Sequence, residues 1–134
     1  MKISRGLRNN NPLNIRRNGT RWKGLSAEQK DTAFFSFIAP CWGYRAAFIT
    51  LKNYCRLHKL VTLASWIERW APPVENDTAN YTAFVAKKSG VRSDAIVDTA
   101  DKSVMCKIVA AMSQMENGCA AVMSDVEEGW RLSL

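Results

Sequence analysis

The sequence predicts a helix-dominated α+β fold, with a small N-terminal β-hairpin followed by about five or six helices. From about residue 42 onward, apolar residues recur every three or four positions, which is the period of an amphipathic helix. Before that point, Asn18-Gly19 lies between two short apolar segments, and Asn-Gly is the preferred two-residue hairpin turn. With 134 residues, 47% of them hydrophobic, the chain is long enough to bury the core of one domain, 1–134.

Residues 1–40 are predicted to form a basic loop and hairpin element. In NIRRNGTRW, short strands around Ile15 and Trp22 flank the Asn-Gly turn. The segment TAFFSFIAP reads as a further extended piece that Pro40 ends.

Residues 41–134 are predicted to form the helical part. The predicted elements are helices over 42–58, 61–71, 77–89, 102–116 and 124–130, with a short helical turn over 93–98. Their bounds follow from local signals: Pro72 ends the second, Asn76 or Asp77 caps the third, and Asp101 caps the fourth. A capping box starting at Ser124 opens the last.

The formal net charge of +7 is unevenly distributed, because residues 1–24 contain no acidic residue. The basic residues of this stretch are Lys2, Arg5, Arg8, Arg16, Arg17, Arg21 and Lys23. Such a stretch attracts anions: nucleic-acid phosphate, anionic cell-wall polymers or the protein's own carboxylates. A solvated basic edge without a partner is the alternative.

The sequence does not indicate a membrane-spanning protein, a protein with a signal peptide, or one that uses a metal or another cofactor. No run of about 18 apolar residues predicts a membrane span, and MKISRGLRNNN lacks the apolar stretch of a signal peptide. We therefore expect synthesis in the cytoplasm and delivery by another system. The four cysteines are widely spaced, which favours free thiols. With one histidine and no glycine-rich phosphate loop, neither a metal nor another cofactor is predicted.

Glu116 is the unusual residue of the helix over 102–116. On a helical wheel it lies within the apolar stripe formed by Val104, Met105, Ile108, Val109, Met112 and Met115. Partial burial and the negative end of the helix dipole both favour the neutral form of a carboxyl group there. A carboxylic acid that remains protonated near neutral pH is suited to general acid catalysis. Alternatively, Arg5, Arg8 or Arg16 pairs with Glu116 and makes it structural, or the last turn frays into water.

The segments RGLRNNNPLNIRRNGTRWKG, RWAPPVENDTANYTAFV and MENG together resemble a family of phage and prophage proteins. These are often labelled virion structural proteins and placed in the lysozyme-like superfamily. The resemblance extends over nearly the whole chain. It implies a lysozyme-like domain and association with a virion.

A second resemblance concerns short motifs of glucosaminidases and lytic transglycosylases. MENG resembles their helix end with the catalytic Glu, NPLNI their N-x-x-G-I loop, WKG their hairpin and NDTANY their T-D-P-x-Y helix start. The Glu helix follows the other motifs instead of preceding them. A circular permutation produces such an order.

This resemblance implies that Glu116 is catalytic and that nearby polar and aromatic residues bind the substrate. The candidate substrate-binding residues are Asn11, Asn14, Trp22, Asn76 and Tyr81. A second carboxylate could come from Glu28 or Asp31, and Glu75 is the runner-up acid. If no second carboxylate reaches the site, Glu116 acts as acid and then as base, as in lytic transglycosylases. There are two alternatives to substrate binding: the asparagine amides bond the backbone of a turn, and the tryptophan packs in the core.

Three functions follow, in order of preference. The first is cleavage of the peptidoglycan glycan strand by a muramidase, glucosaminidase or lytic transglycosylase mechanism. The second is a non-catalytic virion or cell-wall-binding protein, whose partners are the wall polymer and other virion proteins. The third, a nucleic-acid binder, is supported by charge alone, because the basic residues concentrate in a loop and hairpin rather than on one helix face.

Overall fold

The computed structural model describes residues 3–134, so Lys2 of the basic stretch lies outside the described residues. Within this range the chain forms six helices. They are α1 (Arg5–Arg8), α2 (Pro40–His58), α3 (Leu63–Trp70), α4 (Thr78–Ser89), α5 (Lys102–Asn117) and α6 (Met123–Leu132). The helix-dominated part of the prediction is confirmed.

The predicted α+β class with its N-terminal β-hairpin is wrong. Residues 3–134 contain isolated β-bridges but no sheet, and Arg16 bridges to Phe34 rather than across the Asn-Gly turn. The backbone N–H of Phe35 donates to the Ile15 carbonyl at 3.1 Å. The segment around residues 33–37 thus takes the backbone groups that a hairpin would have used. Leu25 likewise bridges to Phe37.

Three smaller expectations also need correction. The sequence did not predict α1, whose N-cap Ser4 accepts a hydrogen bond from the Leu7 N–H. In the predicted helical turn over 93–98, residues 93–95 form a turn, and Ile96 forms an isolated β-bridge with Thr62. The capping box at Ser124 is absent, because α6 begins one residue earlier, at Met123, without a side-chain cap.

The four longer predicted helices are present, and local signals set their ends. Pro40 occupies the first turn of α2, where its missing N–H costs nothing. Asp77 and Asp101 cap α4 and α5 by accepting from backbone N–H groups three residues ahead. Gly118 ends α5 at φ 73°, a left-handed conformation that glycine adopts without strain.

The main core lies between α2 and α6 on one side and α4 and α5 on the other. Its largest fully buried side chains include Phe48, Trp66, Met105 and Met112. Gly129 lets α6 approach α2 closely, since a Cβ there would lie 2.5 Å from the Cβ of Tyr44. The C-terminal end of α5 is held by hydrogen bonds to α4 and to the N-terminal segment.

A second, smaller cluster lies beneath the N-terminal segment. It consists of the buried residues Phe35, Phe37 and Ala46, with Trp22, Leu25 and Trp42 packed against them. All four cysteines are free, in agreement with the prediction, and Cys106 is buried. No helix within residues 3–134 is both long enough and apolar enough to cross a membrane.

Candidate active site

Glu116 is the penultimate residue of α5, and its half-buried carboxyl group is bonded by two side chains. Asn14 Nδ2 donates to Glu116 Oε1 at 2.8 Å, and the Tyr81 hydroxyl donates to Oε2 at 2.8 Å. In the described part of the chain no basic group forms a salt bridge with Glu116. Neither the ion-pair alternative nor the frayed helix end therefore applies.

Tyr81 approaches from α4 and is 5% exposed. Burial raises the pKa of the Tyr81 hydroxyl far above its usual value, and the neighbouring charge and hydrogen bond of Glu116 raise it further. The hydroxyl consequently keeps its proton at any physiological pH. It is a permanent donor to Glu116.

Asn14 reaches Glu116 because of the shape of the loop before it. Asn14 has a φ of 53°, in the left-handed region that asparagine tolerates better than most residues. Asn11 shapes this loop from within: it is fully buried, and its Nδ2 donates to the carbonyls of Ile15 and Phe35 at 3.0 and 2.9 Å. Its Oδ1 accepts from the Ile15 N–H. The Asn11 amide thus bonds the backbone and is not free for a substrate.

Asn117 joins the end of α5 to the N-terminal segment, a role that the sequence analysis missed. Its Oδ1 accepts from the Ser4 hydroxyl at 2.6 Å, and its Nδ2 donates to the Pro12 carbonyl at 2.8 Å. Gly6 permits this junction, because a Cβ there would lie 2.7 Å from Asn14 Oδ1 and 2.9 Å from Asn117 Oδ1. The position of Asn117 directly after Glu116 in MENG was the available signal.

Glu116 and Asn14 lie on the wall of an open groove with a volume of about 560 Å³. Trp70 lines the same groove, together with Glu75 and Asn76 from the loop before α4. A volume of this size falls within the range of small-molecule binding sites.

A second cavity of about 240 Å³ adjoins the groove and shares Asn14, Arg16 and Trp70 with it. Trp22 and Tyr54 line this second cavity. The two cavities therefore lie side by side, with three lining residues in common.

The structure thus brings most of the predicted site residues to one place. Glu116, Asn14, Glu75 and Asn76 line the groove, and Trp22 lines the adjoining cavity. Tyr81 does not line the groove but supports Glu116 through its hydroxyl.

The two predicted second carboxylates lie elsewhere. Glu28 is exposed, and one of its oxygens lies 3.6 Å from Lys30 Nζ. Asp31 accepts two hydrogen bonds of 2.6 Å from the Arg5 guanidinium, which holds the pKa of that carboxyl far below its usual value. Its side chain is 10% exposed and also accepts from Asn9. Asp31 therefore serves as a structural anchor, and Arg5 of the basic stretch pairs with the protein's own carboxylate.

Fold and site together describe a small, basic, helical protein with an open groove, on whose wall the Glu116 carboxyl group is bonded by two side chains. No protein-family model matches the sequence. The chain is 41% identical over 121 residues to Protein P5 of Pseudoalteromonas phage PM2, covering 87% of this chain and 73% of that protein. The chain belongs to the family of this phage protein. The phage origin implied by the resemblance is supported, whereas its lysozyme-like placement stays a prediction.

Proposed function

We propose that this protein cleaves the glycan strand of peptidoglycan and that Glu116 transfers the proton. One observation carries the proposal: a carboxyl group, oriented by Asn14 and Tyr81, lies on the wall of an open groove. Glycosidic cleavage requires a positioned carboxyl group that donates a proton to the bridging oxygen. The resemblance to lysozyme-like proteins and lytic transglycosylases agrees with this chemistry.

The arrangement favours a mechanism with one carboxyl group. Since Glu28 and Asp31 do not line the groove, Glu116 first acts as acid and then as base. A hydroxyl or acetamido group of the substrate serves as the nucleophile. Glu75 is the alternative second carboxylate because it lines the same groove.

The other groove residues have supporting roles in this proposal. Asn14 and Tyr81 position the Glu116 carboxyl, and Trp70 offers an indole face on which a sugar ring can stack. Peptidoglycan is the proposed partner. Association with a virion and its other proteins is in line with the phage relative.

The test is clearing of purified cell walls by wild type, Glu116→Gln and, as a matched control, Glu28→Gln. Glutamine has the shape of glutamate, and the Tyr81 hydroxyl can rotate to accept from its amide, so Glu116→Gln should fold normally. We expect clearing by wild type and Glu28→Gln and none by Glu116→Gln. Equal clearing by all three would remove Glu116 from the mechanism.

A non-catalytic wall-binding protein is the second candidate, and one observation favours it. Both oxygens of Glu116 accept hydrogen bonds within the protein, as those of a structural carboxylate do. Under this alternative, wild type and Glu116→Gln would co-sediment with cell walls equally, and neither would clear them.

A further inference from the structure

We propose that the groove recognises a glycan whose sugars carry free carboxylates, and that Arg69, assisted by Arg16, binds those carboxylates. This inference rests on the proposed function and specifies its substrate. It arises from the two basic residues on the groove wall, Arg16 and Arg69, which the cleavage mechanism does not use. The other two charges on this wall are those of Glu75 and Glu116.

Arg69, in the last turn of α3, is a basic residue of the groove without a carboxylate partner among the described residues. Its guanidinium lies 5.3 Å from the centre of the Tyr54 ring, a contact that restricts its orientation. A guanidinium binds a carboxylate through two parallel hydrogen bonds, so Arg69 is suited to a planar anionic group of a ligand.

Arg16 is paired, but weakly. Its Nη2 lies 3.5 Å from Glu75 Oε2, and the two side chains are 68% and 62% exposed. Ion pairs between exposed side chains contribute little free energy. A ligand carboxylate can therefore replace Glu75 at Arg16 at small cost, and Glu75 acts as an internal competitor for that position.

The position of the two arginines indicates a sugar polymer rather than a nucleic acid. Both line the groove that contains the Glu116 carboxyl, where a nucleic acid would bring a negative phosphate with every unit. The carboxylates of Glu75 and Glu116 oppose such a continuous charge. A glycan with a carboxylate on alternate sugars places its negative groups more sparsely.

In cell-wall glycan, the stem peptide determines whether such a carboxylate is present. With the peptide attached, the lactyl group of the lactyl-substituted sugar is an amide. Once the peptide has been removed, the same group is a free carboxylate. An amide-hydrolysing reaction would thus supply the preferred substrate. Intact strands, with the lactyl groups in amide linkage, would bind more weakly.

The test measures binding by tryptophan fluorescence in the Glu116→Gln background, so that no cleavage occurs. The probes are muramyl-containing glycan oligomers of one length, with lactyl groups either as free carboxylates or as carboxamides. We expect the free-carboxylate form to bind about tenfold more tightly, the effect of one charge-assisted hydrogen-bonded pair. Adding salt should reduce this preference.

Variants of the groove residues test which side chains cause the preference for the free-carboxylate oligomer. Arg69→Gln should remove most of this preference, leaving the part that Arg16 supplies, without changing affinity for the carboxamide oligomer. Arg69→Lys should restore part of the loss. Glu75→Gln should increase affinity for the carboxylate oligomer by freeing Arg16. Arg92→Gln is the matched control, because Arg92 is exposed and pairs with Asp94 outside the groove.

The outcomes separate the two proposals. Equal affinity for the two oligomers, or a preference that Arg69→Gln leaves undiminished, would overturn the carboxylate inference and leave glycan cleavage standing. If neither oligomer binds, the proposed function is rejected as well. Tighter binding of a single-stranded oligonucleotide than of both oligomers would overturn the inference in favour of a nucleic-acid ligand.

Discussion

Replacing Tyr81 with phenylalanine removes a single hydroxyl group from the support of Glu116. The ring is 5% exposed and packs in the main core, so phenylalanine keeps its apolar contacts. The change deletes the 2.8 Å hydrogen bond to Glu116 Oε2 and leaves the bond from Asn14 to Oε1 in place. The carboxyl group then has one donor in the protein and can rotate.

The structure sets the size of the effect. A hydrogen bond contributes about 0.5–1.5 kcal/mol to stability when the acceptor is a neutral carboxylic acid, and about 1.5–3 kcal/mol when it is a carboxylate. Glu116 lines an open groove, so water can replace the lost donor, and we take the value at which these two ranges meet. We expect a loss of about 1.5 kcal/mol in the free energy of unfolding, or roughly tenfold in the folded-to-unfolded ratio.

Two assays and a matched control test this prediction. Urea denaturation measures the stability change, and the initial rate of cell-wall clearing measures the effect on activity. Tyr44→Phe is the control, because it deletes a buried hydroxyl that lies 2.9 Å from Ser113 Oγ, away from the groove. It should cost about 1 kcal/mol, the contribution of a neutral hydrogen bond, and leave clearing unchanged.

The clearing rates of Tyr81→Phe and Tyr44→Phe show whether the Tyr81 hydroxyl positions a reacting carboxyl group. Tyr81→Phe should slow clearing about tenfold at a temperature where both variants are fully folded. If Tyr81→Phe clears walls as fast as Tyr44→Phe does, the hydroxyl does not position a reacting carboxyl group.

Three further predictions concern the support of the site. Asn117→Ala removes the hydrogen bonds that join α5 to the N-terminal segment. It should lower the free energy of unfolding, measured by urea denaturation, by about 2 kcal/mol and slow wall clearing. Unchanged stability would contradict the stabilising role of this junction. Gly6→Ala places a methyl group 2.9 Å from Asn117 Oδ1 and should cost about 1–3 kcal/mol, whereas Gly19→Ala, with open space around it, should change little. Because Arg5 lowers the pKa of Asp31, the carboxylate stabilises the fold above its unfolded-state pKa of about 3.9, and this contribution declines as the pH falls below that value. Asp31→Asn should therefore be less stable than wild type at pH 7, with a difference that shrinks at pH 3; an equal difference at both pH values would refute the assignment.

The helices were predictable because their signals are local. Asp77 and Asp101 cap their helices through backbone groups three residues away, and Gly118 ends α5 immediately after the last helical residue. Such features are read directly from neighbouring letters of the sequence.

The hairpin failed for the opposite reason. Asn18-Gly19 is a valid local turn signal, but a distant segment pairs with the residues before it: Arg16 bridges to Phe34. Burial of Phe35 and Phe37 in the smaller cluster outweighs the local preference. Competition from a later segment cannot be read from the turn itself.

The candidate site depends partly on local sequence signals and partly on contacts between distant segments. The apolar stripe of α5 correctly indicated that Glu116 is partly buried. Its two partners lie 102 and 35 positions away in the chain, so their convergence required the tertiary structure. The sequence suggested that Asn14 and Tyr81 bind the substrate, and the structure adds that both donate hydrogen bonds to the Glu116 carboxyl group.

Mass spectrometry of the products of cell-wall digestion tests the central claim most directly. If Glu116 transfers a proton to a glycosidic oxygen, wild type will release glycan fragments with new reducing or anhydro ends. Glu116→Gln will then release none, although it is folded and still binds walls. Release of the same glycan fragments by Glu116→Gln, or of peptide fragments alone by wild type, would contradict the account.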